Sequence, residues 1–268
     1  MVGWMRVRAL KYGAAPRAPS TLMEPLMKRL ILAATCALAL SACSDPEAER
    51  RAQEAAAAAA QAQKEAKAED VAKQYDTAVA SQDWERARIH GGSLLDAYKG
   101  TAAAARVEPG YAEVKSKAEQ ARDLRRMQGL WQYNEIPVGT RGVQRSASIY
   151  GKERVDVDGS GPKPVQLVFR DHPQWKQHAY LVLQAGDFRC PGGCKVQVSV
   201  DGGKPRAMAA WRPDTDEAIA MFITDHKALW KLTRQAKVLR VEFPVKAGGM
   251  RSVDFETGGL DASRMPWK

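Results

Sequence analysis

The sequence predicts an α+β protein in which the helical and β parts are separate, successive segments of the chain. Three observations carry that expectation. Residues 44–73 consist almost wholly of Ala, Glu, Gln, Lys and Arg, with an unbroken alanine run from Ala55 to Ala60. Residues 71–127 repeat apolar side chains at helical spacing. From about Gln128 the period switches to two, with Gly-rich turn signals between short runs, the pattern of an antiparallel β-sandwich.

The Ala-rich stretch is made of strong helix formers with almost no large apolar side chain. Such a helix buries little, so residues 43–70 read as a tether, helical or partly disordered. At 1.5 Å rise per residue, about 25 helical residues would reach ~40 Å. Val71, Tyr75, Ala78 and Val79 then mark one apolar face. Ser81-Gln82-Asp83 breaks it and offers a cap for a second helix, whose face is Trp84, Ala87, Gly91, Leu94, Leu95 and Tyr98. Lys99-Gly100 ends that helix, and Thr101 to Val107 is a short helical turn. Pro109-Gly110 is expected to break the chain again, because proline lacks the helical N–H donor and crowds the preceding turn. Tyr111, Val114, Ala118, Ala121, Leu124 and Met127 give a third face. From Tyr75 to Val107 the helix, the Asp-Trp-x-x-Ala opening and Ala-Tyr-Lys-Gly-Thr-x-x-x-Ala resemble one tetratricopeptide-type unit. A repeat array needs about three units to bury a continuous core. One unit implies a small antiparallel hairpin or bundle over 71–127 rather than a peptide-binding superhelix.

In residues 128–268 the alternation is explicit in Val165, Leu167 and Phe169, in Ala179, Leu181 and Leu183 (with Tyr180 and Val182 on the other face), in Val196, Val198 and Val200, in Leu239, Val241, Phe243 and Val245, and in Val253 and Phe255. Turn signals fall at 158–161, 191–193, 201–203 and 247–249. One helix interrupts, from about Asp225 to Ala236, with Thr224 as its cap and Leu229, Leu232 and Ala236 as its buried face. The strand ending near Asp201, the Ala209-Ala210-Trp211 strand, Met221-Phe222-Ile223 running into a helix, and Phe255-x-Thr257-Gly258-Gly259-Leu260 resemble small β-rich periplasmic proteins associated with type VI secretion clusters. That resemblance covers roughly residues 190–262 and assigns no functional residue.

Upstream of the tether, Met27-Lys28-Arg29 is a short basic start and Leu30 to Leu40 an apolar run of eleven residues. That length suits a signal h-region and falls short of the ~20 residues that span a bilayer. Leu40-Ser41-Ala42-Cys43 resembles the lipobox of bacterial lipoproteins. The resemblance implies cleavage before Cys43, acylation of its thiol, and a membrane partner reached through a palmitate-bearing anchor. More than one acyl chain is needed for durable anchoring, at ~0.8 kcal/mol per buried methylene. Ser44 after the cysteine implies sorting to the outer membrane, periplasmic face. Residues 1–42 are read as the signal peptide preceded by an extension from an early start codon, with Met27 as the expected start.

Composition bounds the partners. The formal net charge of +10 drops to +5 from Cys43 onward, with 35 Lys/Arg against 30 Asp/Glu. Residues 43–127 carry 14 basic and 15 acidic side chains, whereas residues 128–268 carry 21 and 15. A modest basic excess without a reader motif points away from nucleic acid and toward anionic envelope polymers or lipids. Of four cysteines, Cys36 is expected to go with the signal, and Cys43 is the lipid site that the lipobox resemblance implies. Cys190 and Cys194 remain, an even pair in an exported chain, and read as a disulfide across the turn Pro191-Gly192-Gly193.

The residues that could carry chemistry each have a plainer reading. Asp156-Val157-Asp158-Gly159-Ser160-Gly161 imitates a calcium loop, but its twelfth position is Leu167 and its seventh Pro162, so a hairpin turn is expected. His172 and His178 flank Trp175 without a third ligand apart from Asp171. No nucleophile elbow, phosphate loop or dinucleotide fingerprint is present. The β half is rich in aromatic residues that could line a sugar or peptide groove, Trp230, Trp267, Tyr133, Tyr150 and Tyr180 among them, and Trp131, Trp175 and Trp211 are the foremost candidates. The expected function is therefore a non-enzymatic envelope lipoprotein, without cofactor or metal, presenting a β-sandwich to an envelope protein or to peptidoglycan or another glycan. The alternatives are an accessory factor of a secretion or assembly machine, and an envelope-polymer hydrolase using Asp214, Asp216 and Glu217.

Overall fold

The computed structural model describes residues 45–213 and 219–267. Residues 68–268 form one compact unit, and the chain up to Lys67 is separate from it. The lipobox with Cys43, and Asp214, Asp216 and Glu217, lie outside the described residues.

Three helices open the described chain: α1 (Pro46–Ala80), α2 (Trp84–Ala97) and α3 (Ala102–Gln128). Residues 46–63 of α1 are exposed throughout, as their lack of large apolar side chains requires. From Ala68 on, α1 buries Ala68, Ala72, Tyr75 and Ala78. These pack with Ala87 and Leu94 of α2 and with Ala103, Ala104, Val107 and Val114 of α3. The core is built mostly from alanines, so the helices approach closely. Gly91 shows how closely: a Cβ there would sit 2.6 Å from the Tyr111 ring. The vacant position lets that ring lie against α2, where its hydroxyl donates to the Arg88 carbonyl at 3.0 Å. Asp83 caps α2 by accepting from Arg86 N, and Thr101 caps α3 by accepting from Ala104 N, satisfying amides that have no partner inside the helix.

The break expected at Pro109-Gly110 does not occur. α3 runs through Pro109 for 27 residues. Proline leaves the Ala105 carbonyl without its helical donor. Both Ala105 and Pro109 are exposed, so water can serve that oxygen, while Val107, Val114 and Ala118 on the opposite face hold the helix together by packing.

Nine strands follow: β1 (Trp131–Pro137), β2 (Val143–Tyr150), β3 (Val165–His172), β4 (Lys176–Leu183), β5 (Cys194–Val200), β6 (Arg206–Trp211), β7 (Ala220–Ile223), β8 (Leu239–Pro244) and β9 (Met250–Phe255). They form one antiparallel sheet in the order β1-β2-β3-β4-β7-β6-β5-β8-β9. The seam between its halves is narrow, since β6 and β7 share only Ala210↔Ile223 and Trp211↔Phe222. Inward side chains of both halves enter one core, including Ile149, Leu167, Phe169, Leu181, Val198, Val241 and Phe255. The chain just after β2 returns to the far edge strand, where Lys152 N donates to the Asp254 carbonyl at 2.7 Å. The sandwich is thus a single sheet turned back over itself.

Helix α4 (His226–Gln235) is inserted between β7 and β8. Its cap is Asp225, which accepts from Ala228 N, rather than Thr224. A carboxylate at the positive end of a helix gains charge as well as a hydrogen bond. Leu229, Trp230 and Thr233 form its buried face. Trp230 meets Phe169 edge-on at 4.9 Å and Trp267 at 5.2 Å, so the helix plugs the interior with aromatic volume. The 3-10 turn Thr257–Gly259 joins the helices to the sheet: a Cβ on Gly259 would lie 2.2 Å from backbone atoms of Met127 and Gln128. Arg126 donates twice to the Glu256 carboxylate beside it, at 3.0 and 2.9 Å.

Candidate functional site: an aromatic row ending in a groove

The strand register brings together aromatic residues far apart in sequence. Tyr180 pairs with Phe222 across β4 and β7, and Phe222 pairs with Trp211 across β7 and β6. Directly opposed residues on neighbouring strands share a face at the strand spacing of ~4.8 Å. The ring centroids follow that spacing: Tyr180 to Phe222 is 4.9 Å and Phe222 to Trp211 is 4.6 Å, the second pair stacked at 15°. All three lie on the outer face, because their neighbours Leu181, Met221 and Ala210 fill the core.

At the β3 end the row continues through Arg170. Its guanidinium lies 5.4 Å from the Tyr180 ring and 5.2 Å from Trp175, a cation between two π faces. Trp175 is 55 % exposed and stacks on His172 at 4.0 Å. His172 Nδ1 accepts from the amides of Gln174 and Trp175, both at 3.1 Å, which orders the β3–β4 turn. His178, opposite Arg170, meets Phe222 at 5.6 Å and His226 at 6.2 Å. Burial, and then the Arg170 guanidinium, hold the His178 imidazole below its usual pKa. Burial raises the Tyr180 phenol above its usual value. Both side chains are therefore neutral at pH 7, and Arg170 carries the row's charge.

At the other end Trp211 opens into a groove. One indole face is taken by Phe222, yet the residue stays 42 % exposed. The groove has a volume of about 660 Å³, and Trp211 to Pro213 face the loop Asp187 to Gly193 across it, with Lys246 at the rim. Two devices hold that loop. Phe188 bridges to Val245, and Arg189 N donates to the Pro244 carbonyl at 3.1 Å. Cys190 and Cys194 form a disulfide, with a Cα–Cα distance of 5.0 Å, that closes the turn before β5. Arg212 Nε donates to Asp187 at 2.7 Å, and both side chains are largely buried, so the ion pair stiffens the groove floor.

The residues named from the sequence thus separate. Trp175 and Trp211 stand at opposite ends of one row. Trp131 lies inside the core, 5 % exposed, 6.4 Å from Phe169, and does not reach either. The calcium-like loop is a hairpin turn between the bridged residues Val155 and Lys163. Its carboxylates serve the backbone, Asp156 accepting from Gly159 N at 2.7 Å and Asp158 from Ser160 N at 3.0 Å. Among the described residues no three His, Cys, Asp or Glu side chains are placed to hold a metal ion, and no helix is long and apolar enough to cross a membrane. Sequence reasoning missed Arg170 and Phe222 as members of the site. The one signal was Tyr180 alternating against Leu181; the pairing with Phe222 is a register, which composition does not encode.

No family model matches the chain, and no curated protein matches it. Among solved structures, invasion associated protein B from Bartonella henselae is similar at 14 % identity, over 48 % of this chain and 85 % of that one, with a TM-score of 0.32. A likeness at that score carries no argument.

Proposed function

We propose that this chain is a non-enzymatic envelope lipoprotein, anchored through Cys43, whose β domain binds an envelope glycan along the aromatic row and in the groove at Trp211. The observation that carries the glycan reading is Trp211 itself. Its indole is rigidly backed by Phe222, 42 % exposed, and faces a groove stiffened by a disulfide and an ion pair. Pyranose rings present flat C–H faces that stack on such a platform, and their hydroxyls are met by the groove's backbone and charged side chains. Supporting the anchor reading are the basic start, apolar run and Cys43 in the sequence.

The test is co-sedimentation of the purified full-length protein with peptidoglycan sacculi. The protein pellets, and Trp211→Ala lowers retention roughly tenfold or more, the usual effect of removing a central tryptophan. Equal retention of the variant would remove the groove from the reading. In cells, Cys43→Ser releases the protein from the membrane fraction; persistent membrane association would count against the anchor.

A further inference from the structure

We infer that the glycan is acidic: the exposed face of α4 is a basic ridge, continuous with the aromatic row, that pairs with carboxylates on the ligand. The inference rests on the glycan reading and names its chemical class.

Residues 226–240 contain Lys227, Lys231, Arg234, Lys237 and Arg240 and no Asp or Glu. All five are exposed. Lys227, Lys231 and Arg234 fall at i, i+4 and i+7, one face of a helix. The opposite face, Leu229, Trp230 and Thr233, is locked into the core, so the cations cannot rotate inward. Arg240 is held by Asp254 at 2.7 and 2.9 Å. Among the described residues the other four have no carboxylate within ion-pair distance. In the helical segment, by contrast, exposed Arg86 is matched by Asp83, Arg106 by Asp76 and Arg126 by Glu256. Unopposed like charges on one rigid face repel one another, an arrangement that an anionic ligand relieves.

The ridge also adjoins the row. It starts one residue after His226, whose ring is 6.2 Å from His178, which meets Phe222 at 5.6 Å. The α4 C-terminus is fixed, because Asp201 accepts from Lys237 N at 2.9 Å and Val238 N at 2.8 Å. Aromatic faces beside a rigid cationic edge suit a polymer that is a sugar on its ring faces and a carboxylate at its substituents. Arg170, between Trp175 and Tyr180, gives the row itself a matching charge.

The experiment is affinity electrophoresis of the full-length protein through gels containing alginate, a polyuronate, or dextran, a neutral glucan. A third arm measures sedimentation with vesicles containing phosphatidylglycerol. The variant Lys227→Gln/Lys231→Gln/Arg234→Gln changes only exposed side chains, and circular dichroism checks that it folds. Alginate retards the wild type, about tenfold less in the triple variant, as expected for three exposed ion pairings, and less in 0.5 M salt, which shrinks the Debye length to below ~5 Å. Trp211→Ala also weakens retardation. Equal retardation of triple variant and wild type overturns the acidic-ligand inference and leaves the glycan reading standing. Retardation by dextran equal to that by alginate does the same. Absence of retardation in both gels, with vesicle binding that the triple variant loses, overturns both and makes the ridge a lipid-headgroup contact.

Discussion

The helical and β regions solve the same problem with opposite materials. The helical core is Ala68, Ala72, Ala78, Ala87, Ala103 and Ala104 around Leu94 and a few valines. The β core is Phe169, Trp230, Phe243, Phe255, Leu167, Leu181 and their neighbours. Buried area sets the hydrophobic contribution, at roughly 25 cal/mol per Å², so each β position contributes far more than each helical one. Small side chains nonetheless let helices approach until Tyr111 can fill the position a Gly91 side chain would occupy. The helical region is therefore stabilised by closeness and the β region by volume. The two are joined where Gly259 meets the backbone of Met127 and Gln128.

That contrast can be broken from each side. Emptying the β core has the largest effect. Phe169 is fully buried and touches Trp131, Trp230 and Trp267, so Phe169→Ala should cost about 3–5 kcal/mol. Urea denaturation followed by tryptophan fluorescence measures it; a cost below about 1 kcal/mol would mean that the aromatic cluster does not govern the β region. In the helical region the damaging change is the reverse one. Ala72 is fully buried, and Ala72→Leu should cost about 1–3 kcal/mol by overfilling, although leucine is nearly as good a helix former as alanine. If far-ultraviolet circular dichroism finds Ala72→Leu neutral or stabilising, the helices are not packed at contact.

The smallest effect is acid sensitivity. His178 titrates below its usual pKa of 6.5 in the folded protein because it is partly buried beside Arg170. A depressed folded pKa means that the unfolded chain takes up the proton first. The His178 contribution to stability is therefore fully present above pH 6.5 and is lost as pH falls from 6.5 through the lower, folded pKa. His178→Gln should flatten that part of the stability–pH curve, and the same slope in variant and wild type would show that His178 is not its source.

How much was legible follows from the kind of information each feature needs. The strands β3, β4, β5, β8 and β9 announced themselves by alternation, because one face is core and the other solvent. β1 and β2 did not. Their outward residues include Gln132, Asn134, Gln144 and Ser146, and their inward ones are as small as Ala147, so the two-residue period is faint. The disulfide was legible from parity and turn residues, and it is present between Cys190 and Cys194. Pro109 misled because the cost of a missing donor depends on whether its orphaned carbonyl faces water. The five cations of residues 226–240 stood in the sequence all along. What made them a ridge was the burial of Leu229 and Trp230 opposite.

By itself the sequence determined the order of the parts: an Ala-rich stretch, amphipathic helices, then alternating strands with one helix between them. Those depend on side-chain periodicity and turn chemistry, which are local. Tertiary structure alone decided that nine strands form one sheet with a two-pair seam, that Tyr180, Phe222 and Trp211 become neighbours across it, and that Trp131 faces the core. Pairing between strands distant in the chain is fixed by the joint packing of both faces, and no short stretch of residues contains that information.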